Sequence, residues 1–436
     1  MQTYNYDIIV VGAGIAGISS AVKAGRLGTK VLLIEHFSFL GGMSTAGMVS
    51  PFMKHQVNGE TLVKGIFEDI EDDMRSNYGM IDNGFFANSF RNASFNLITD
   101  SNVTVLFNTE IISVEKELDT IKSLTLFSVG KQITVYGKVF IDTSGDAILS
   151  FLGNLSYAKG DESSGRLQAL TLFFRMGGIN FVKALDYVKN NKHDFFNWMD
   201  YNFNLTKIIS VAGYFSNVKK AIDENRLSSD VQYIFYTTLP SSGEASFNTT
   251  NILGLDGSDT YEITKAEILG RTQVKDVVKI LNSEIPGFEK AFLLETAMHV
   301  GVRETRRVIG DYIITGEDIR TGKKFFDSIA RGCYGIDIHG QRDENSVMEE
   351  LPEGEYYEIP MRALVVKDAQ NLLAAGRCIS ATREGHAALR IMPTSAATGE
   401  ACGAIAALSI KNNYDIRNIN YSELVELIKG NITIKK

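Results

Sequence analysis

Cysteine is scarce. Only Cys333, Cys378 and Cys402 occur, an odd number with no CxxC pair. That excludes a disulfide framework and a cysteine-built zinc site, and points to a reducing compartment. Six prolines in 436 residues leave no room for proline-rich linkers. No apolar run reaches the length of a membrane span. The first such run, 8–11, follows Asp7 and passes straight into glycines. It lacks a basic flank and is too short for a secretory signal. Positive charge is also in deficit, with 44 Lys and Arg against 52 Asp and Glu. The cations are scattered, so the basic footprint that a phosphate backbone requires is missing. The expectation is a cytoplasmic protein with no nucleic-acid partner, no membrane partner and no metal.

What is present is glycine at informative places. Residues 6–11 are a continuous β-branched run and predict a buried parallel strand. A helix is predicted over 15–27, closed by Gly28, and a second strand over 30–34. Between the first strand and the helix stands Gly12-Ala-Gly14-Ile-Ala16-Gly17. In such a turn the first glycine permits the bend, the second lets backbone approach a diphosphate, and the third lets helix and strand pack closely. The helix N-terminus adds free N–H groups and partial positive charge. Glu35 ends the second strand, where a carboxylate bonds ribose hydroxyls, with His36 beside the adenine.

The fingerprint alone does not separate FAD from NAD. Three later features favour FAD. Gly41-Gly42-Met-Ser44-Thr45-Ala-Gly47 follows Glu35 and offers backbone amides to a second phosphate and the flavin. Asp142-Thr-Ser144-Gly145-Asp146 closes a strand. Gly376-Arg377 follows a late strand, and Met392-Pro393-Thr394 opens a helix, with proline suited to its first turn. A helix start aimed at the flavin would stabilise its anionic reduced ring. Ile111 joins these residues as a cofactor contact.

These blocks, with Arg303-Glu-Thr-Arg306-Arg307-Val-Ile-Gly310-Asp311-Tyr312, Asp337-Ile-His339 and 375–394, resemble the FAD-dependent oxidoreductase family. That family has a glutathione-reductase-type FAD fold and is distantly related to flavin fumarate reductases. The resemblance runs along most of the chain. It implies bound FAD and redox chemistry without fixing the substrate. The family often has cysteine after Met-Pro-Thr; here Ser395 stands there, which removes any thiol role.

The expected fold is α/β, a Rossmann-like FAD-binding domain from 1–155 and 355–436 with an inserted mixed α+β substrate domain over 156–354. Strands are expected over 103–118, 121–129, 131–142, 170–176 and 231–238, and helices over 60–77, 259–284 and 394–410.

Candidate catalytic groups are His339, in a glycine-flanked stretch, His386, between the halves of the last block, and Arg303. Arginine binds carboxylates bidentately. Arg303, Arg306 and Arg307 either bind an anionic substrate or form a buried ion-pair network with Glu304 and Asp311. Arg390 either neutralises reduced flavin or makes a packing ion pair. Tyr334 is a candidate proton relay, and His299 reads as a strand histidine. The leading function is a dehydrogenase or reductase moving hydride between a small organic substrate and flavin N5, with an unknown electron partner. The alternatives are an O₂-using monooxygenase or oxidase, and a non-catalytic dinucleotide-binding protein. The single tryptophan rules out a Trp-x-Trp-x-x-Pro halogenase signature.

Overall fold

The computed structural model describes residues 3–241, 243–340 and 346–433. Its first βαβ unit is β1 (Ile8–Val11), α1 (Ile15–Arg26) and β2 (Val31–Ile34). Both strands are entirely buried, as continuous β-branched runs in a two-sided sheet must be. β3 (Val103–Leu106), β4 (Val139–Asp142) and the late β5 (Leu372–Ala374) complete a parallel sheet in the order β5-β4-β1-β2-β3. Thus a strand from near residue 372 is hydrogen-bonded to one that ends at 142, pairing Phe140 with Leu372. The C-terminal ends of β1, β2, β4 and β5 lead into Gly12, Glu35, Thr143 and Ala375, the edge where open α/β sheets bind ligands.

The last long helix, α2 (Met392–Asn412), is buried along nearly its whole length. Its small residues allow this. A Cβ on Gly399 would lie 2.2 Å from the Ala16 carbonyl oxygen, and one on Gly403 would lie 2.3 Å from that of Ser20. α1 and α2 therefore touch backbone to backbone, and Ser20 Oγ donates to the Gly399 carbonyl at 2.8 Å.

A second, antiparallel sheet runs through the middle of the chain, ordered 210–213, 234–238, 245–247, 174–177 and 292–296. Its core draws on buried residues from Leu170 to Val302, with Met48. Buried apolar side chains between Ile314 and Leu351 instead join the core of the first unit. The middle segment expected over 156–354 therefore divides near 305.

Other differences are local. The helix expected over 60–77 is Ile66–Ser76, because Asn58 and Gly59, both at positive φ, turn a small hairpin just before it. An Asn-Gly pair is a strong two-residue hairpin signal. The run 131–142 breaks at Gly137 and Lys138, where the chain leaves one sheet (Lys131–Tyr136) and enters another (β4). The strand expected over 170–176 is regular only over Phe174–Gly177, and that over 231–238 only over Ile234–Thr238. Among the described residues no helix is long and apolar enough to cross a membrane.

Candidate active site

A cavity of about 350 Å³ opens at the C-terminal edge of the parallel sheet. Its wall comes mainly from three chain regions that only the fold brings together, with Gly257, His299 and Val302 from the middle of the chain. Gly12, Gly14, Ala16, Glu35, His36, Gly41, Gly42 and Ser44 form one part. Ile111, Ser144, Gly145 and Asp146 form the second, and Gly376, Arg377, Met392 and Ser395 the third.

Gly12 has φ +93, and a Cβ there would lie 2.7 Å from the Ser144 Cα, so the two turns interlock. Gly14 is different. A Cβ on it would meet nothing within 4 Å, because that side faces the cavity. Gly42 lies over Gly14, where its Cβ would come within 2.9 Å of the Gly14 Cα. Gly145 gives way to a side chain: a Cβ would be 2.7 Å from Arg377 Nη2. That guanidinium bonds Asp146 Oδ1 at 2.9 Å, which also accepts from Thr305 Oγ1.

Three residues expected to touch cofactor stand one layer behind the wall. Gly17 packs on the Gly12 carbonyl, where a Cβ would be 1.8 Å away. Thr45 is buried and donates to the Leu40 carbonyl at 2.8 Å, holding the glycine loop. Thr394 is buried in the first turn of α2. All three support the residues that do form the wall.

The electrostatics favour an anion. Both α1 and α2 begin at this cavity without a side-chain cap and without an acidic residue in the first turn. The first N–H groups of a helix have no intrahelical acceptor, and the dipole adds positive potential. Glu35 supplies the opposite polarity at the ribose end. Its Oε2 accepts from Ala13 N–H at 2.7 Å and its Oε1 from Phe37 N–H at 2.9 Å. Oε2 keeps a lone pair for a hydroxyl. His36 Nδ1 lies 3.0 Å from Glu35 Oε1. Burial opposes the imidazolium, yet the Glu35 hydrogen bond and charge, with Glu110 and Asp146, raise its pKa overall. Ser44 is buried and its hydroxyl donates to the Met392 thioether at 2.9 Å, a weak acceptor that a cofactor oxygen or nitrogen would better. Open glycine, two uncapped helix starts, a carboxylate at the end of β2 and an under-used hydroxyl together fit FAD.

Beyond Val302 and Arg390, both in the wall, lies a polar cluster at the seam between the two cores. It contains Arg303, Asp337 and His339. His339 Nε2 is 3.4 Å from Asp337 Oδ1, and Asp337 Oδ2 accepts from Tyr334 at 2.8 Å. Arg390 donates to the Asp337 carbonyl at 3.0 Å and lies 3.3 Å from Oδ2. Burial opposes the Asp337 charge, but His339, Arg390 and Tyr334 hold its carboxyl well below the ordinary range. Burial, with the nearby Arg303 charge, pushes His339 down, so the imidazole is neutral. Burial and Arg390 bring Arg303 down to about 10, still cationic at neutral pH. Tyr334 is raised by burial and by Asp337.

The arginine segment fans out. Arg307 is wholly buried and bonded to Glu304, to Glu162 at 3.1 Å and to the Gly160 carbonyl at 2.9 Å. Arg306 stacks on Phe151 at 4.0 Å. Asp311 takes no part in that network and pairs with Arg417 at 2.9 Å. Only Arg303 of the three belongs to the seam.

His386 lies elsewhere than expected. It is completely buried and absent from the wall, and burial with Arg307, Arg390 and Arg377 drives its pKa well down. His299, read from sequence as a strand histidine, stands instead in a loop on the cavity wall. Its backbone N–H donates to the Ala46 carbonyl at 3.1 Å, tying it to the glycine loop. No local sequence signal marks a contact across so much chain.

A family model described as FAD dependent oxidoreductase matches residues 7–428. Comparison with curated proteins gives no match. Among solved structures, the flavin-dependent brominase Bmp2 is similar, with 13% identity and a TM-score of 0.51, over 96% of this chain and 82% of that one. A geranylgeranyl bacteriochlorophyll reductase-like protein from Thermoplasma acidophilum has 13% identity and a TM-score of 0.47, over 98% and 83%. The p-nitrophenol 4-monooxygenase of Pseudomonas putida has 11% identity and a TM-score of 0.48, over 98% and 84%. At these identities the brominase bears on the fold alone, an α/β architecture with a parallel sheet. The family match over almost the whole chain bears on the chemistry: this chain belongs to the FAD dependent oxidoreductase family and is an FAD-using enzyme.

Proposed function

We propose that the protein is a dehydrogenase or reductase that moves a hydride between a small organic substrate and flavin N5. In this reading the chain ends form a glutathione-reductase-type FAD-binding domain, and the middle segment is inserted as a substrate domain. The enzyme works in the cytoplasm, where its three free, buried cysteines stay reduced.

The observation that carries the reading is the Arg303–Asp337–His339 cluster, joined to the cavity by Arg390, which lines the wall and bonds Asp337. Bound there, FAD supplies the hydride acceptor or donor. The chain supplies the rest. Gly12, Gly14 and the start of α1 hold the diphosphate, and Glu35 holds the ribose. The start of α2 stabilises negative charge on the reduced ring. Neutral His339 manages one proton, with Asp337 orienting it.

The test is anaerobic. Holoprotein should lose its yellow colour on mixing with a substrate, or its reduced form should regain colour. His339→Asn should slow that step by about 10²-fold while leaving FAD content unchanged. Oxygen uptake that is obligatory for substrate turnover would instead mark an O₂-using enzyme and overturn the proposal.

A further inference from the structure

Arg303 is 9% exposed, yet among the described residues its one hydrogen bond runs from Nη1 to the Ala169 carbonyl at 2.7 Å. Among the described residues it has no carboxylate within ion-pairing distance. The neighbouring arginines are otherwise occupied: Arg307 pairs with Glu304, Arg377 with Asp146 and Arg390 with Asp337, while Arg306 lies on the Phe151 ring. A guanidinium has five donors in a fixed fork, and Asp337 answers the Arg303 charge only from beyond ion-pairing distance. Arg303 thus has donors to offer an anion, in a fork that matches the two oxygens of a carboxylate.

Next to it stands a base. Ala169, whose carbonyl holds Arg303, also donates its N–H to the His339 carbonyl at 3.2 Å. Asp337 faces Nε2 of the His339 ring, which makes Nε2 the protonated nitrogen and leaves the Nδ1 lone pair free. A lone pair takes a proton, so it suits a substrate that must lose one from a heteroatom as its carbon is oxidised. An amine at neutral pH arrives as an ammonium and must shed an extra proton before hydride can leave its carbon. A hydroxyl brings no charge.

We infer that the substrate is a 2-hydroxycarboxylate, with its carboxylate on Arg303 and its hydroxyl hydrogen-bonded to His339 Nδ1. This rests on the proposed hydride transfer. The C2–H bond breaks and its electron pair leaves with the hydrogen as hydride, for which bound FAD is the acceptor. The O–H proton passes to His339 Nδ1, and C2–O becomes a carbonyl. The product is a 2-oxocarboxylate. Asp337 is a positioning residue, acting through the tautomer of His339.

Two experiments on the holoenzyme separate this inference from the reading beneath it. Calorimetry with oxalate, which cannot give up hydride, measures the anion site alone. Arg303→Met should weaken oxalate binding about 100-fold and Arg303→Lys about 10-fold, with FAD content and circular dichroism unchanged. Equal affinity in wild type and Arg303→Lys would overturn the inference, even if Arg303→Met failed to fold. Anaerobic bleaching is then compared for lactate and 2-hydroxybutyrate against alanine, 2-aminobutyrate and simple alcohols. Bleaching by the hydroxycarboxylates supports the inference. Bleaching only by amines or alcohols overturns it and leaves hydride transfer standing. No bleaching by any of them, with oxygen-dependent turnover elsewhere, brings down both. Asp337→Asn should leave oxalate affinity within about threefold, slow bleaching at least about 10-fold and flatten its pH profile. An unaltered profile would remove the positioning role.

Discussion

Replacing Gly14 with valine tests the cofactor site at its most exposed joint. Gly14 has φ −66 and ψ 179, a conformation any L-residue adopts, and an added Cβ meets no atom within 4 Å. The apoprotein should therefore keep its stability to within about 1 kcal/mol. The valine methyls, however, would fill the space over the first turn of α1. A diphosphate held there accepts from helix N–H groups, and charge-assisted bonds are worth about 1.5–3 kcal/mol each. Losing two gives about 3–6 kcal/mol, or roughly 10²- to 10⁴-fold in Kd. The assay is titration of apoprotein with FAD, followed by quenching of flavin fluorescence, alongside the apoprotein Tm. A Kd within threefold of wild type at unchanged Tm would refute the placement of the diphosphate. Gly12→Ala is the contrasting control. It puts a Cβ 2.7 Å from the Ser144 backbone at φ +93 and should lower apoprotein stability by at least about 2 kcal/mol.

Two further outcomes follow from the charges. Arg307→Met takes from fully buried Glu304 the nearer of its two arginines, leaving Arg383 at 3.5 Å and the Gln168 N–H at 3.1 Å, and should cost about 3 kcal/mol in denaturant unfolding; a loss below about 1 kcal/mol would mean that the network does not hold the segment. His36 has a raised pKa in the folded state, so its contribution to stability is complete below the unfolded value of about 6.5 and fades as pH rises through the higher folded value. The Tm gap between wild type and His36→Gln should accordingly be wider at pH 5.5 than at pH 9, and a gap that widens with pH would contradict the pairing with Glu35.

Much of the cofactor site could be read in advance, since glycines, a strand end and a helix start constrain backbone locally. The interlocked Gly12 and Ser144 turns, the Gly41-Gly42 loop and the Pro393 helix start all belong to one cavity. The seam was less legible because its geometry depends on which way neighbouring side chains point. Arg303, Arg306 and Arg307 are adjacent in sequence, yet they meet a backbone carbonyl, a phenyl ring and a buried carboxylate. Asp311 was grouped with them by proximity and pairs instead with Arg417, more than a hundred positions away. His386 sits in a conspicuous block but faces a closed interior, whereas His299 reaches the wall through a loop that sequence patterning reads as strand. The small hairpin at Asn58 and Gly59 carried a legible turn signal that the apolar spacing of the following helix obscured.

The backbone-to-backbone seating of α2 on α1, together with the pairing of β5 on β4, has a consequence for biosynthesis. A ribosome exposes the fingerprint glycines well before the surface against which their helix must seat, more than 350 residues later in the chain. Until nearly the whole polypeptide has emerged, α1 presents a strip of bare, small-residue backbone with nothing to cover it, and contacts so distant in sequence form slowly. A chain stopped before residue 392 would carry its nucleotide signature intact but lack the helix on which α1 seats.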